Sequence, residues 1–372
     1  MATILDYLDW RGDLRFAADP FNEVDSYLFS QLSYPDLSGI VPEDAESVPI
    51  GEAIRAYFSR PGQDGNYFGA ISSPELGPTL QKLPGYPRYH ELRLAGFRQR
   101  LDEGKTEQFS AVSILLPEGG VYLSFRGTDD TIHGWKENFL LVISDVIPAQ
   151  QDALDYLHWA AEAFPGPLIL GGHSKGGNLA VYAAAMAEEA LQERITAVYN
   201  FDGPGFMGDF FEHEGYRRIR PKLRTILPQH STVGVLLPRE KEVCIVDSQK
   251  SGPMAHNGFQ WRVMGPRFLR CEDFSRGTHA FEDAMHKVLQ DMDRDTRAAF
   301  IDEFFDTLSS TGAKTLTDIT RLQLQELLTL DRSIYHKPEV NRFVKSLLEQ
   351  MLREYAEELE QRARKSGEST PL

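Results

Sequence analysis

Cysteine is nearly absent from this chain. Cys244 and Cys271 are the two it has, and no C-x-x-C pair occurs. That excludes a disulfide framework and a thiolate zinc site. No apolar run of about 20 residues is present, so no membrane-spanning helix is expected. The opening residues are broken by Asp6, Asp9, Arg11 and Asp13, which prevents an apolar signal core and makes the cytoplasm the expected location. An excess of positive charge is lacking as well. Against 55 Asp and Glu stand 39 Lys and Arg, a formal net charge of −16. A surface of that sign repels phosphates, so nucleic acid is not an expected partner. No cofactor or metal is expected. Fixed-period repeats and low-complexity tracts are also missing.

What is there suits a large packed core. With 372 residues, 41% hydrophobic and 25% charged, the chain can stand without staples. The expectation is one main domain over 1–285 and a helical C-terminal extension over 286–372. Residues 22–34 read as an amphipathic helix, with Val24, Tyr27, Leu28 and Leu32 on one side. Residues 35–87 are rich in Pro and Gly and read as mostly irregular, with one short helix near 50–58. Such a stretch is a candidate lid or a plain surface insertion. From residue 91 onward strand and helix signals alternate. Strands are expected at 92–101, 109–117, 121–125, 167–171, 195–201, 223–228, 243–248 and 259–264, and helices at 134–145, 149–164 and 176–189. That alternation predicts βαβ units and a mainly parallel central sheet flanked by helices, with the first strands as an antiparallel edge. In the tail, Val340, Phe343, Val344, Leu347, Leu348 and Met351 form a helical stripe suited to docking on the main domain or on another copy of the chain.

Gly172-His173-Ser174-Lys175-Gly176 fits G-x-S-x-G. A bare match is weak, but its setting is specific: apolar residues precede it and a helical run follows. A strand–turn–helix of this kind places a serine on a sharp bend with its Oγ exposed above the sheet, and the following helix N-terminus favours developing negative charge. The alternative is an ordinary βα turn with a solvent-facing serine. A serine nucleophile needs a base, itself oriented by a third group, and in this chain order the acid precedes the histidine.

Asp202 follows the strand at 195–201 and precedes Gly203-Pro204-Gly205, a tight turn that can hold its side chain. Its bland role is turn capping. Asp247 is the reserve acid. His256 lies in a loop after the last well-formed strands, where a base is expected, and His230 is its rival. The oxyanion of a tetrahedral intermediate needs donors aimed at it. The N–H of Lys175 is one candidate. The N–H of Thr128, after the strand ending in Phe125-Arg126-Gly127, is the other, unless Thr128 merely caps the next helix.

Phe125–Thr128 and Gly172–Gly177 resemble the strand-end F-R-G-T and the elbow G-H-S-x-G-G of class 3 lipases, a branch of the α/β-hydrolases. The pieces 200–206, 172–180 and 21–25 (F-N-E-V-D) resemble more closely a bacterial relative of that branch, the Mbeg-like proteins, over residues 1–265. The resemblance implies the α/β-hydrolase fold, Ser174 as nucleophile, His256 as base, and Thr128 and Lys175 as the oxyanion hole. Two departures matter. The branch usually carries its acid one strand later, where Gln229-His230-Ser231 stands here, so the acid has moved to Asp202 or been lost. Lys175 replaces a common Leu; its ammonium would favour an anionic substrate, lower the Ser174 pKa, or face solvent. The expected activity is hydrolysis of a carboxylic ester, such as a lipid or lysophospholipid, through an acyl-enzyme. The competing reading is a non-catalytic scaffold that works through its helical tail.

Overall fold

The computed structural model describes residues 2–61, 73–102, 107–128, 136–138, 140–144 and 146–291, with 295, 297 and 298 beyond them. Eight strands form one sheet in which spatial order equals chain order. They are β1 (Val48–Pro49), β2 (Arg93–Asp102), β3 (Glu107–Leu115), β4 (Val121–Phe125), β5 (Leu168–His173), β6 (Ile195–Phe201), β7 (Leu223–Pro228) and β8 (Cys244–Val246). Neighbours from β1 to β4 are antiparallel, and those from β4 to β8 are parallel. The antiparallel edge and parallel body are therefore as expected. The last anticipated strand is mostly not one: Gly258–Gln260 is a 3-10 turn, and Val263–Met264 alone (β9) pairs with Arg267–Phe268 (β10).

Parallel strands laid down one after another in the same direction have a consequence. Right-handed crossovers put every connecting helix on the same face. Here α5 (Pro148–Ala163) and α6 (Lys175–Met186) link β4 to β5 and β5 to β6. Strand side chains alternate faces: Val121, Leu123 and Phe125 join the helical core, while Tyr122 points to the opposite one. That second face needs a cover from elsewhere in the chain.

The cover is N-terminal. It comprises α1 (Ile4–Arg11), α2 (Glu23–Ser30), α3 (Ile50–Phe58) and α4 (Leu76–Lys82), joined by the β9–β10 ribbon. Helix α2 lies directly on the sheet and is buried all round from Val24 to Ser30, rather than amphipathic. It starts with a reciprocal cap: the Asn22 side chain accepts from Val24 N at 2.9 Å, and Asp25 accepts from Asn22 N at 3.0 Å. Asp25 also takes hydrogen bonds from Arg88 Nε at 2.8 Å and Nη2 at 2.5 Å and from Tyr89 Oη at 2.7 Å. The F-N-E-V-D segment is thus a folding clamp, binding the start of α2 to a fully buried arginine.

Residues 35–61 and 73–87 also belong to this layer. Leu37, Val41, Ile50, Ile54, Leu76, Leu80 and Leu83 are all buried, each contributing about 1.5–3 kcal/mol of apolar burial. Prolines and glycines made the stretch look irregular, but its apolar positions close the core, so these parts are not a plain surface insertion; residues 62–72 of the candidate lid lie outside the described residues. The boundary expected between 285 and 286 falls inside a continuous helix, α9 (Arg276–Asp291; α7 and α8 are Glu189–Arg194 and Glu214–Ile219), which buries Phe281, Met285 and Leu289 on the helical core. The tail stripe at 340–351 lies outside the described residues. Of the helix expected at 134–145, residues 136–138 and 140 are helical. No described helix is long and apolar enough to cross a membrane.

Candidate active site

Strand β5 ends at His173, and α6 begins one residue later, so Ser174 makes the whole turn. Its backbone sits at φ 59° and ψ −135°, a region that costs a non-glycine residue about 1–3 kcal/mol. A cross-strand bond and a helix-start bond hold it there: Ser174 N donates to Phe201 O and Gly177 N to Ser174 O, both at 2.9 Å. The bend also requires Gly176, since a Cβ there would run into Phe125 O. Asp202, the first residue beyond β6, is the other non-glycine residue with positive φ among those described, at 49°. Its N–H donates to Ile226 O at 2.9 Å.

Between these two strained residues comes His256, which contacts Asp202 and shares a cleft with Ser174; it ends a short 3-10 turn at Gly252–His256. His256 Nδ1 lies 2.7 Å from Asp202 Oδ2. The second carboxylate oxygen, Oδ1, accepts from Ser231 Oγ at 2.5 Å and Gly234 N at 3.2 Å. Asp202 is fully buried and His256 is 4% exposed. A carboxylate so surrounded fixes the tautomer of its imidazole partner, with the proton on Nδ1 and Nε2 bare. His256 and Ser174 line the same cleft, which encloses about 350 Å³ of empty space, open solvent included. Thr128, Gln31, Tyr34 and Leu76 border it too.

Thr128 lies at the rim of the cleft, just beyond β4. Gly127 presses against the elbow so closely that a Cβ would lie 3.0 Å from Ser174 Cβ. The Thr128 hydroxyl is occupied, donating to Asn138 Oδ1 at 2.7 Å. Lys175 opens α6, and a first-turn N–H needs an acceptor from outside the helix. The Lys175 side chain neither faces solvent nor reaches the cleft. It is fully buried beneath the elbow, ion-paired with Glu137 and donating to Gln108 O at 2.6 Å. The ammonium is therefore neutralised inside the fold and cannot greet an anionic substrate.

The reserve candidates are engaged elsewhere. Asp247 pairs with Arg262 Nη1 at 2.8 Å. His230 sits in the turn after β7, and the imidazoles lining the cleft are those of His173 and His256. Ser231, in the turn after β7, donates to Asp202, which stands one strand earlier.

Some site residues escaped the sequence reading. His173 was legible only as the variable position of the elbow, and Tyr34 carried no signal. Glu75 accepts from Gln260 Nε2 at 2.7 Å and Asn257 Nδ2 at 3.3 Å, tying the segment that brings Ser73 and Leu76 to the cleft onto the His256 turn. No local pattern announces such a long-range tie.

A mainly parallel sheet, helices on its faces and a strained serine between β5 and α6 define an α/β-hydrolase fold. Residues 83–306 match the Mbeg1-like family, and the chain belongs to it. The match starts and ends later than the span of 1–265 expected from the motifs, leaving out the F-N-E-V-D clamp and taking in α9. Among solved structures, the crystal structure of M37 lipase is similar at a TM-score of 0.36 and 14% identity, over 56% of this chain and 68% of that one. Rhizomucor miehei lipase in its propeptide complex is similar at 0.34 and 14%, over 59% and 66%. No curated protein matches the chain.

Proposed function

We propose that this protein is a serine hydrolase of carboxylic esters, with Ser174 as nucleophile, His256 as base and Asp202 as acid. The observation that carries the reading is the 2.7 Å contact from Asp202 to His256, beside a cleft that His256 shares with a strained Ser174. His256 takes the Ser174 proton as Oγ attacks the ester carbonyl, and the oxyanion is met by the N–H groups of Thr128 and Lys175. The imidazolium then protonates the departing alkoxide. A water deprotonated by His256 splits the acyl-enzyme, releasing the carboxylic acid and restoring Ser174. Asp202 holds the imidazole and stabilises its charged form.

The scaffold reading drew its support from the missing carboxylate after β7. Ser231 in that place donates to Asp202, which favours the hydrolase reading instead. Cys244 and Cys271 are both free thiols, which fits action in the cytoplasm. A fluorophosphonate probe should label the wild type and not Ser174→Ala, and short nitrophenyl esters beside a long-chain series should define the acyl preference. A folded wild type that stays unlabelled would end the hydrolase reading.

A further inference from the structure

The imidazole of His256 is held on one edge by Asp202. Its flat face rests on a second imidazole. The rings of His173 and His256 have centroids 4.4 Å apart and planes inclined by 34°, the distance of close aromatic packing. His173 Nε2 lies 2.8 Å from the backbone oxygen of His256, and His173 Nδ1 lies 3.1 Å from Tyr34 Oη. A carbonyl oxygen can only accept, so Nε2 of His173 carries the proton. Its Nδ1 is then bare and accepts from the Tyr34 hydroxyl. One tautomer satisfies both contacts.

This second ring is kept neutral. Burial pushes the His173 pKa well below its ordinary value, and the neighbouring His256 pushes it further, against the raising effect of the bond to the His256 carbonyl. The Tyr34 hydroxyl also lies against Gly127, where a Cβ would collide with it and would come within 2.6 Å of His173 O. Tyr34 therefore touches both the segment leading to Thr128 and the ring beneath the base.

We propose that His173 is a positioning residue: anchored by Tyr34 on one nitrogen and by the His256 carbonyl on the other, it supports the face of the His256 imidazole and holds it in line with Ser174. This rests on the Ser174–His256–Asp202 reading above. The role needs a neutral ring with an N–H donor at one end and an acceptor at the other.

Its test compares His173→Phe and Tyr34→Phe with the wild type. The first keeps a flat ring under His256 and loses both hydrogen bonds. The second loses one hydroxyl and little bulk. The readouts are kcat and KM on a short nitrophenyl ester, and the downfield proton resonance of His256 Nδ1–H against Asp202. A ring displaced by a fraction of an ångström should lower kcat by about tenfold to a hundredfold in His173→Phe, with KM little changed. Tyr34→Phe should lower kcat by about threefold to tenfold in the same sense. In both, the Nδ1–H resonance should broaden through exchange with water. Wild-type kcat and an unchanged resonance in a folded His173→Phe would overturn the proposal; should that variant not fold, the same result in Tyr34→Phe would do so. A wild type that neither hydrolyses ester nor takes the fluorophosphonate label would overturn the hydrolase reading instead.

Discussion

The helical face of the sheet and the N-terminal face are packed in different ways. On the helical face Ala153 and Ala160 of α5 and Ala180, Ala183 and Ala184 of α6 let the helices settle close to the strands. On the other face Tyr27, Phe29, Tyr122, Phe201, Trp261 and Phe268 form an edge-to-face web of rings. A helix that enters by a short crossover arrives in register with its strand, so small side chains suffice. A layer that arrives from far along the chain meets the sheet at irregular angles, and large rings fill what remains.

Buried carboxylates sharpen the contrast. Asp25, under the N-terminal face, has Nε and Nη2 of Arg88 and a capping amide. Asp152, on α5, faces a second carboxyl group, Glu107, and an Arg100 whose side chain is 59% exposed. Its pKa is pushed up to about 7, by burial first and Glu107 next, against the pull of Arg100. One face uses its buried acid as a clamp, and the other holds its acid protonated into the neutral range. The proposed chemistry comes from the parallel strands and the support from the N-terminal layer, a division that substitutions can break.

The largest expected effect is on chemistry. Asp202→Asn should lower kcat on a short ester by about 10⁴-fold, while Asp247→Asn should leave it within about twofold; equal losses in the two would dissolve the assignment. Next comes stability. Asp25→Asn takes from the buried Arg88 one of its two carboxylates, Asp19 Oδ2 at 3.4 Å being the other, and should cost about 3 kcal/mol in urea unfolding. If instead the rate fell and the stability held, the N-terminal face would be more than a support. Ser231→Ala removes one of two further donors to Asp202 and should cost about tenfold in kcat, roughly 1.4 kcal/mol. The smallest effect is a pH slope. Below about pH 4 Asp152 is protonated whether folded or not, and between there and about 7 only the folded chain keeps the proton. Stability from this group is therefore full in acid and is lost as pH rises through that window. Unfolding free energy measured from pH 5 to 8 should decline in the wild type relative to Asp152→Asn, and parallel curves would contradict it.

Much of the frame was readable in advance. Strands β4, β6 and β7 fall on their expected residues, and the glycines around Ser174 announced the bend because their lack of a Cβ is the condition for it. Local patterns of two and three to four residues carry that information in the chain itself. In the N-terminal layer the helices near 22–34 and 50–58 are where they were expected, but the burial of the rest of 35–87 was missed, since Pro and Gly are frequent there and mask its apolar positions. A turn-rich segment can bury leucines as well as a helix can, once a bare sheet face waits for it.

The sequence by itself determined the alternation of strands and helices, the elbow and the order of acid before base, all of which depend on backbone sterics within a few residues. Only the tertiary structure brought Asp202 against His256 and Asp247 against Arg262, turned Lys175 inward to Glu137, and placed His173 under the proposed base. Those outcomes join residues tens of positions apart, and whether two side chains meet across such distances depends on how the layers pack.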